Sequence, residues 1–176
     1  ATIPSGDFMT REDVLERIDA RGKTLLDIGT GKLSIIAARD FDCDVTCVDI
    51  SQVAVDEARA EAAQMGLSER LRYHCADGAD LPFDDNSFDC AVSWNAMHHI
   101  PPEHREAVVR ELCRTARHAV AIADFTPQKF ERFHGDSDYT VVDFDLLAGM
   151  LAGCGAIEHL QGDADTTGIV VSIDAG

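Results

Sequence analysis

Three aspartates lie at the ends of short apolar segments. Asp27 precedes Gly29 and Gly31, Asp49 ends a second segment, and Asp77 follows a third. A carboxylate accepts hydrogen bonds from ribose hydroxyls or from an amine, and a glycine lets a ligand approach the backbone closely. Each feature alone is also typical of an ordinary turn or a helix cap. Together they predict a small-molecule pocket.

The elements that must position these residues follow from an alternation of strand and helix patterns. Such an alternation predicts a parallel sheet, whose ligands bind at the carboxyl ends of the strands. The first five predicted strands are 24–28, 45–49, 71–76, 90–94 and 118–125. A helix capped by Ser51 follows the second strand and ends near Gly66, and another begins at Pro101 and Pro102.

Two further strands, 157–160 and 168–173, are separated by the short polar turn 161–167. A parallel pair needs a longer crossover, so we expect an antiparallel hairpin. A helix over 144–151 precedes this hairpin, and a capped helix begins near Thr10.

Composition limits the classes of partner. The chain has 176 residues, 45% of them hydrophobic, so we expect one domain. Its 32 acidic and 15 basic residues give a formal net charge of −17, which repels a nucleic-acid backbone. We therefore expect no binding of free nucleic acid.

The six cysteines predict reduced core thiols, because most lie in apolar segments and no C-x-x-C pair occurs. We therefore expect no metal site. No apolar run approaches the roughly 18 residues of a membrane span, and residues 1–7 lack a secretory-signal pattern. A cytoplasmic location without a membrane span is the expectation.

Five ordered motifs give the sequence a specific resemblance. They are Leu-Leu-Asp-Ile-Gly-Thr-Gly at 25–31, Cys-Val-Asp-Ile-Ser at 47–51, Ala-Asp-Gly-Ala-Asp-Leu-Pro-Phe at 76–83, Ser-Phe-Asp at 87–89 and Met-His-His-Ile at 97–100. The series resembles the class I S-adenosylmethionine-dependent methyltransferases, nearest to the type 11 group that includes quinone-biosynthesis methyltransferases. The resemblance implies methyl transfer from S-adenosylmethionine to a small-molecule or protein acceptor.

The resemblance also implies the fold and its division. The fold class is α/β, with a Rossmann-like doubly wound, seven-stranded, mostly parallel sheet and an antiparallel C-terminal hairpin. We expect a single methyltransferase domain over 1–176, with a helical lead at 1–22, a cofactor-binding half at 23–125, and a C-terminal helix and hairpin at 126–176.

Cofactor-binding residues follow from the same motifs. The implied set is Asp27, Gly29 and Gly31 around the methionine portion, Asp49 at the ribose with Ile50 beside it, Asp77 and Gly78 at the adenine with Leu81 and Phe83 in apolar contact, and Asn95 near the sulfonium.

Two positions depart from the family pattern. Leu33 stands where a third glycine is common, and 114–118 replaces a Pro-Gly-Gly type of turn. We expect Leu33 to pack against the sheet. The alternative is that it narrows the cofactor site.

An acceptor hydroxyl or acidic carbon calls for a base, and imidazole titrates near physiological pH. His98 and His99 are the first candidates, of which one is expected to face the pocket, and Asp124 is the next. Packing at the strand end is the alternative for both histidines. His104 and His134 are expected to face solvent.

Two other functions remain open. An NAD-binding oxidoreductase would also use Asp49, but its Gly-x-Gly-x-x-Gly fingerprint requires glycine at Ser34. A noncatalytic module would bind the cofactor or a partner without transferring methyl groups.

The short lead before the first strand predicts either an open acceptor pocket or one completed by a second subunit in a homodimer.

Overall fold

The central strands of the sheet are apolar on both faces, as expected where helices cover both sides, whereas the two edge strands are partly exposed. The computed structural model describes residues 9–160, 162 and 164–173. The strands are β1 (Thr24–Ile28), β2 (Asp44–Asp49), β3 (Leu71–Cys75), β4 (Phe88–Trp94), β5 (Ala116–Phe125), β6 (Gly155–Leu160) and β7 (Thr166–Ile173). The helices are α1 (Arg11–Arg17), α2 (Lys32–Asp40), α3 (Gln52–Gln64), α4 (Pro102–Thr115), α5 (Pro127–His134) and α6 (Phe144–Leu151).

The seven strands form one sheet in the order β3-β2-β1-β4-β5-β7-β6. β7 is antiparallel to both β5 and β6, so the other six strands run in one direction. The predicted seven-stranded doubly wound sheet and its antiparallel hairpin are confirmed. The strand order reverses between β1 and β4, which makes the carboxyl ends of these strands the expected ligand crevice.

Strand register brings the ends of β1, β2 and β3 to one level. Ile28 lies opposite Val48, and Asp49 lies opposite Cys75. The residues that follow these strands therefore meet at one edge of the sheet.

Helices on the two faces of the sheet cover two separate cores. Leu15 of α1, Leu33 of α2 and Val55 of α3 belong to one core, and Leu112 of α4 and Leu147 of α6 belong to the other. The 3₁₀ turn Met97–His99 follows β4 and adds Met97 to the second core.

Two predicted helix caps are confirmed. Thr10 and Asp13 form a reciprocal capping box at α1, and the Ser51 hydroxyl accepts the Ala54 N–H at α3. Gly66 follows α3 with a φ of 72°, a left-handed conformation that favours glycine.

The predicted turn at 114–118 is wrong, because α4 passes directly into β5. Thr115 closes the last helical turn by donating its hydroxyl hydrogen to the Glu111 carbonyl at 2.8 Å, and Ala116 is already in the strand. On α4 itself, Val109 is buried and Cys113 is half-buried.

Helix α5 was not predicted. Its start carries a local signal, since the Thr126 hydroxyl accepts the Lys129 N–H and Pro127 occupies the first helical position. The helix brings His134 against the sheet end, which matters for the site described below.

None of the described helices is long and apolar enough to cross a membrane. The six cysteines are free thiols, but the prediction that they lie in the core holds only for Cys43, Cys47 and Cys90, since Cys113 and Cys154 are half-buried and Cys75 is exposed. The expectation for residues 1–7 falls outside the described residues, as do positions 161 and 163 of the predicted turn.

Leu33 is 1% exposed and packs in the core formed by α1, α2 and α3. The prediction that it packs against the sheet is confirmed. The branched side chain therefore does not occupy the ligand crevice.

Leu33→Ala should lower the free energy of unfolding by about 2–5 kcal/mol, because it leaves a cavity in a packed core. Leu146→Ala in α6 is the matched control, since Leu146 is 61% exposed, and it should change stability by less than about 0.5 kcal/mol. Urea unfolding of both variants measures the difference. Equal losses would contradict the assignment of Leu33 to the core.

Candidate functional site

A cleft of about 360 Å³ opens at the carboxyl ends of β1, β2 and β3. Its volume lies within the range of small-molecule sites, which is about 300–1,000 Å³. Five residues predicted to bind a cofactor line it, namely Gly29, Asp49, Ile50, Asp77 and Gly78. The other residues that line it are Ile28, Val48, Ala76, Ala96, His99, Ile100, Pro101, His104 and Val108.

Gly29 occupies a conformation that a side chain would strain. Its φ is 115°, and its N–H donates to the Val48 carbonyl at 2.7 Å. A Cβ built at Gly29 would lie 3.7 Å from the Ala96 Cβ, an ordinary contact. Backbone conformation rather than lack of space therefore requires glycine at this turn.

Asp49 and Asp77 are held by the same local geometry. The Asp49 Oδ1 accepts the Ser51 N–H at 2.9 Å, and the Asp77 Oδ1 accepts the Ala79 N–H at 2.9 Å. Each bond closes an Asx-type turn directly after a strand. Both carboxylates are thereby oriented where the cleft begins.

A second polar group lies beside the cleft around Asp27. This carboxyl is 3% exposed, and burial raises its pKa to about 8, while the positive charge of Arg11 partly opposes the rise. The Arg11 guanidinium lies 5.3 Å from the centre of the Trp94 ring. Three atoms in this region, Arg11 Nε, Trp94 Nε1 and Asn95 Oδ1, are buried without a hydrogen-bond partner in the described part of the chain.

His98 is buried, with 2% of its surface exposed, and is fixed by Asp124. The His98 Nδ1 lies 2.6 Å from the Asp124 Oδ1, and the His98 backbone N–H donates to the Asp124 Oδ2 at 3.1 Å. The Asp124 Oδ1 also accepts the Phe125 N–H at 2.7 Å. Asp124 is itself fully buried and does not line the cleft.

His99 lines the cleft, whereas His98 does not. The prediction that one of this pair faces the pocket is therefore confirmed for His99. Although His99 is exposed overall, desolvation of its ring, followed by the charge of His98, keeps the pKa of the His99 imidazole below its usual value.

His134 completes a histidine cluster with His98 and His99. Phe125 stacks on both His98 and His134, with ring centres 4.8 and 5.8 Å away. The expectation that His134 faces solvent is wrong, because α5 places it half-buried against these rings. His104 is exposed as expected, but it also lines the cleft.

Three residues predicted to contact the cofactor lie elsewhere. Leu81 is buried in the core under α4, where its N–H donates to Glu111 at 2.8 Å. Phe83 packs edge-on against His74 and Phe88. Gly31 is the N-cap of α2 and does not line the cleft. The positions of Leu81 and Phe83 do not support direct contact with an adenine in this cleft.

Sequence comparison identifies the class of protein to which this cleft belongs. A family model described as a methyltransferase domain matches residues 26–119, more than half of the chain. The chain belongs to this methyltransferase family. The predicted methyltransferase class and its cofactor, S-adenosylmethionine, are confirmed, whereas the closer resemblance to quinone-biosynthesis enzymes stays a prediction.

Two curated relatives match part of the chain. Methyltransferase GfsG of Streptomyces halstedii is 34% identical over 125 residues, which are 68% of this chain and 44% of that protein. The 27-O-demethylrifamycin SV methyltransferase of Amycolatopsis mediterranei is 34% identical over 108 residues, 59% of this chain and 39% of that protein. The chain thus spans less than half the length of either relative.

A solved structure supports the fold. The S-adenosylmethionine-dependent methyltransferase from Aquifex aeolicus superposes with a TM-score of 0.74 at 23% identity, and the match covers 95% of this chain and 91% of that one. The family match favours a methyltransferase over the alternative of an NAD-binding oxidoreductase.

The residues present fit the methionine end of S-adenosylmethionine, which carries one ammonium and one carboxylate. Asp27 and the Asn95 Oδ1 are suited to the ammonium, and the unpartnered nitrogens of Arg11 and Trp94 are suited to the carboxylate. Sequence analysis missed Arg11 and Trp94, because neither lies in a motif and α1 precedes the first strand.

Asp27→Asn should change how stability depends on pH in the ligand-free protein. The pKa of Asp27 is about 8 in the folded chain, above the ordinary value of 3.8, so the folded state holds this proton more tightly. The free energy of unfolding therefore falls as pH rises from about 4 to about 8, and no further above that. Denaturant unfolding at several pH values should show the variant gaining on the wild type across this window. If the free energies of unfolding of the variant and the wild type changed in parallel with pH, the raised pKa assigned to Asp27 would be contradicted.

Proposed function

We propose that the chain transfers the methyl group of S-adenosylmethionine to a hydroxyl group of a small organic acceptor. The observation that carries this proposal is the position of His99 in the same cleft as Gly29, Asp49 and Asp77. Groups suited to a nucleoside and one imidazole of the histidine cluster thus share one cleft. The name 27-O-demethylrifamycin SV methyltransferase indicates an oxygen acceptor for that relative and supports oxygen here.

Binding of the nucleoside falls to the strand ends. Asp49 is positioned by Ser51 to accept hydrogen bonds from the two ribose hydroxyls, and Asp77 is positioned by Ala79 to accept one from the adenine amine. Apolar surface for the adenine ring comes from Ile28, Val48 and Val108, which line the cleft. From the sequence, this contact was predicted for Leu81 and Phe83.

S-adenosylmethionine, when bound, supplies a methyl group on a positively charged sulfur, which a nucleophile displaces in line. The chain's main contribution is alignment, because an oriented pair of reactants avoids much of the entropic cost of the reaction. Asn95 and Ala96 connect the end of β4 to the 3₁₀ turn that carries His98 and His99, and Ala96 lines the cleft. Acceptor and methyl group would meet there.

His98 and Asp124 are proposed to activate the acceptor. Asp124 accepts the Nδ1 proton of His98, so the lone pair of the neutral imidazole lies on Nε2. The Nε2 atom is buried without a partner among the described residues, and the His98 ring lies 4.1 Å from that of His99, which lines the cleft. The pair can therefore take up the hydroxyl proton with His99 as the residue that faces the acceptor. Asp124 is then a positioning residue rather than a base.

The noncatalytic alternative loses one of its two supports. It rested on Leu33 as an obstruction of the cofactor site and on the short lead before the first strand, and Leu33 lies in the core instead. Ile50 is 75% exposed at the cleft and offers apolar contact to an acceptor or to a second copy of the chain. The homodimer, the cytoplasmic location and the lack of nucleic-acid binding stay predictions.

The purified chain should bind S-adenosylhomocysteine in titration calorimetry more tightly than NAD. Asp49→Ala should weaken that binding by about 1–3 kcal/mol, because it removes a charged hydrogen-bond partner of the ribose. Asp84→Ala, in the exposed loop before β4, is the matched control and should leave the affinity unchanged. Tighter binding of NAD would overturn the proposed function, whereas an unchanged Asp49→Ala variant would overturn only the assignment of Asp49.

Replacing both His98 and His99 by Ala should lower kcat by about 100-fold or more and leave the affinity for S-adenosylhomocysteine nearly unchanged. The single variants should be unequal, since only His98 is paired with Asp124. His159→Ala is the control, because His159 is exposed on β6. Steady-state kinetics with a small hydroxylated acceptor makes the measurement, and a wild-type kcat in the double variant would show that alignment alone carries catalysis.

A further inference from the structure

We propose that the histidine cluster of His98, His99 and His134 binds one divalent transition-metal ion of the zinc type. Three of the chain's seven histidines converge here from two separate elements, the 3₁₀ turn after β4 and the end of α5. Each offers one ring nitrogen, and these nitrogens lie within 4.8 Å of one another. The sequence predicted no metal, because only the cysteines were considered as ligands.

His98 has the two features of a prepared metal ligand. Its Nδ1 is bonded to the Asp124 carboxylate at 2.6 Å, which fixes the ring and leaves the lone pair on Nε2. Metal-bound histidines commonly have such a carboxylate behind them. The Nε2 atom itself is buried and has no hydrogen-bond partner within the described ranges, an arrangement that costs free energy unless a ligand satisfies it.

The other two ligands can adjust to the first. Nitrogens around a tetrahedral ion at bond lengths of about 2.0–2.1 Å lie about 3.3 Å apart, so the cluster must contract by at most about 1.5 Å. His99 is exposed and His134 is half-buried, so their side chains have room to rotate. His98 stays fixed by Asp124 while they do so.

The donor set selects the class of ion. Three imidazoles suit zinc, cobalt or nickel, whereas magnesium and calcium prefer oxygen ligands. A site with three protein ligands also keeps a fourth position open for water or for another oxygen. Packing of the rings against Phe125 and Tyr139 is the competing explanation of the cluster, and it requires no ion.

A role for the ion in catalysis rests on the proposed function, whereas the site itself does not. His99 lines the cleft, so the open position faces the acceptor side. The ion lowers the pKa of an acceptor hydroxyl bound to it, because the cation stabilises the alkoxide. The hydroxyl proton passes to water. The alkoxide oxygen then forms the new bond to the methyl carbon, and the carbon–sulfur bond breaks with its electron pair on sulfur. When the ion is bound, it occupies the lone pair of the His98 Nε2. His98 then acts as a metal ligand and does not accept the hydroxyl proton.

Metal binding is tested on untagged protein that carries Cys75→Ser, which removes an exposed thiol as an alternative ligand. The protein is stripped with a chelator and titrated with zinc, and separately with magnesium. We expect one zinc per chain with a dissociation constant below about 10 micromolar, and no binding of magnesium. Cobalt should give the visible absorption of a tetrahedral site.

Variants separate a metal site from ring packing. His134→Ala and His99→Ala should each weaken zinc binding at least tenfold, and both residues are accessible enough for the chain to fold without them. Asp124→Asn should weaken it by about 10- to 100-fold without abolishing the cobalt spectrum, as expected for a residue that acts through His98. His159→Ala should leave zinc affinity and the spectrum unchanged.

The proposal is overturned if zinc does not bind, or if it binds equally well to the wild type and to His134→Ala. Metal binding is measured without cofactor or acceptor, so its failure is distinct from failure of the proposed function. A chain that binds zinc but not S-adenosylhomocysteine would retain the metal site and lose the methyltransferase assignment. A chain that binds S-adenosylhomocysteine but not zinc would retain the proposed function and lose the metal site.

Discussion

The alignment of parallel strand ends is the constraint on which the rest of the structure depends. Because β1, β2 and β3 finish at one level and the strand order reverses between β1 and β4, the residues after these strands border a single crevice. The turns that follow these strands then determine which side chains face the crevice. The Asx turns at Asp49 and Asp77 orient carboxylates, and the left-handed Gly29 keeps the floor free of a side chain.

The crevice has chemically different ends. Burial around Asp27 produces a carboxyl with a raised pKa beside the cation of Arg11, a pairing suited to a zwitterion. Next to His99, which lines the cleft, the Asp124–His98 hydrogen bond holds one imidazole nitrogen, and the other has no partner among the described residues. Burial isolates polar groups from water in both places, but only the second place packs against α5.

The sequence was sufficient for features that are local in the chain. Asp49 and Asp77 could be found because each follows an apolar strand, and the hairpin because its turn is too short for a crossover. Features that depend on tertiary packing were not available from it. Leu81 lies in a family motif, but the direction of its side chain depends on how its loop packs on α4. His134 lies outside every motif and joins the site only because α5 folds back onto Phe125.

The insertion of β7 between β5 and β6 also sets an order of assembly. During synthesis β6 emerges from the ribosome before β7, yet its partner in the sheet is β7, so it cannot join the sheet until β7 is available. Until then the β5 edge presents unpaired backbone groups, the kind of edge that recruits strands from other chains. Nascent protein would therefore carry an edge open to aggregation until β7 is translated, at a stage when the strands that border the crevice already exist.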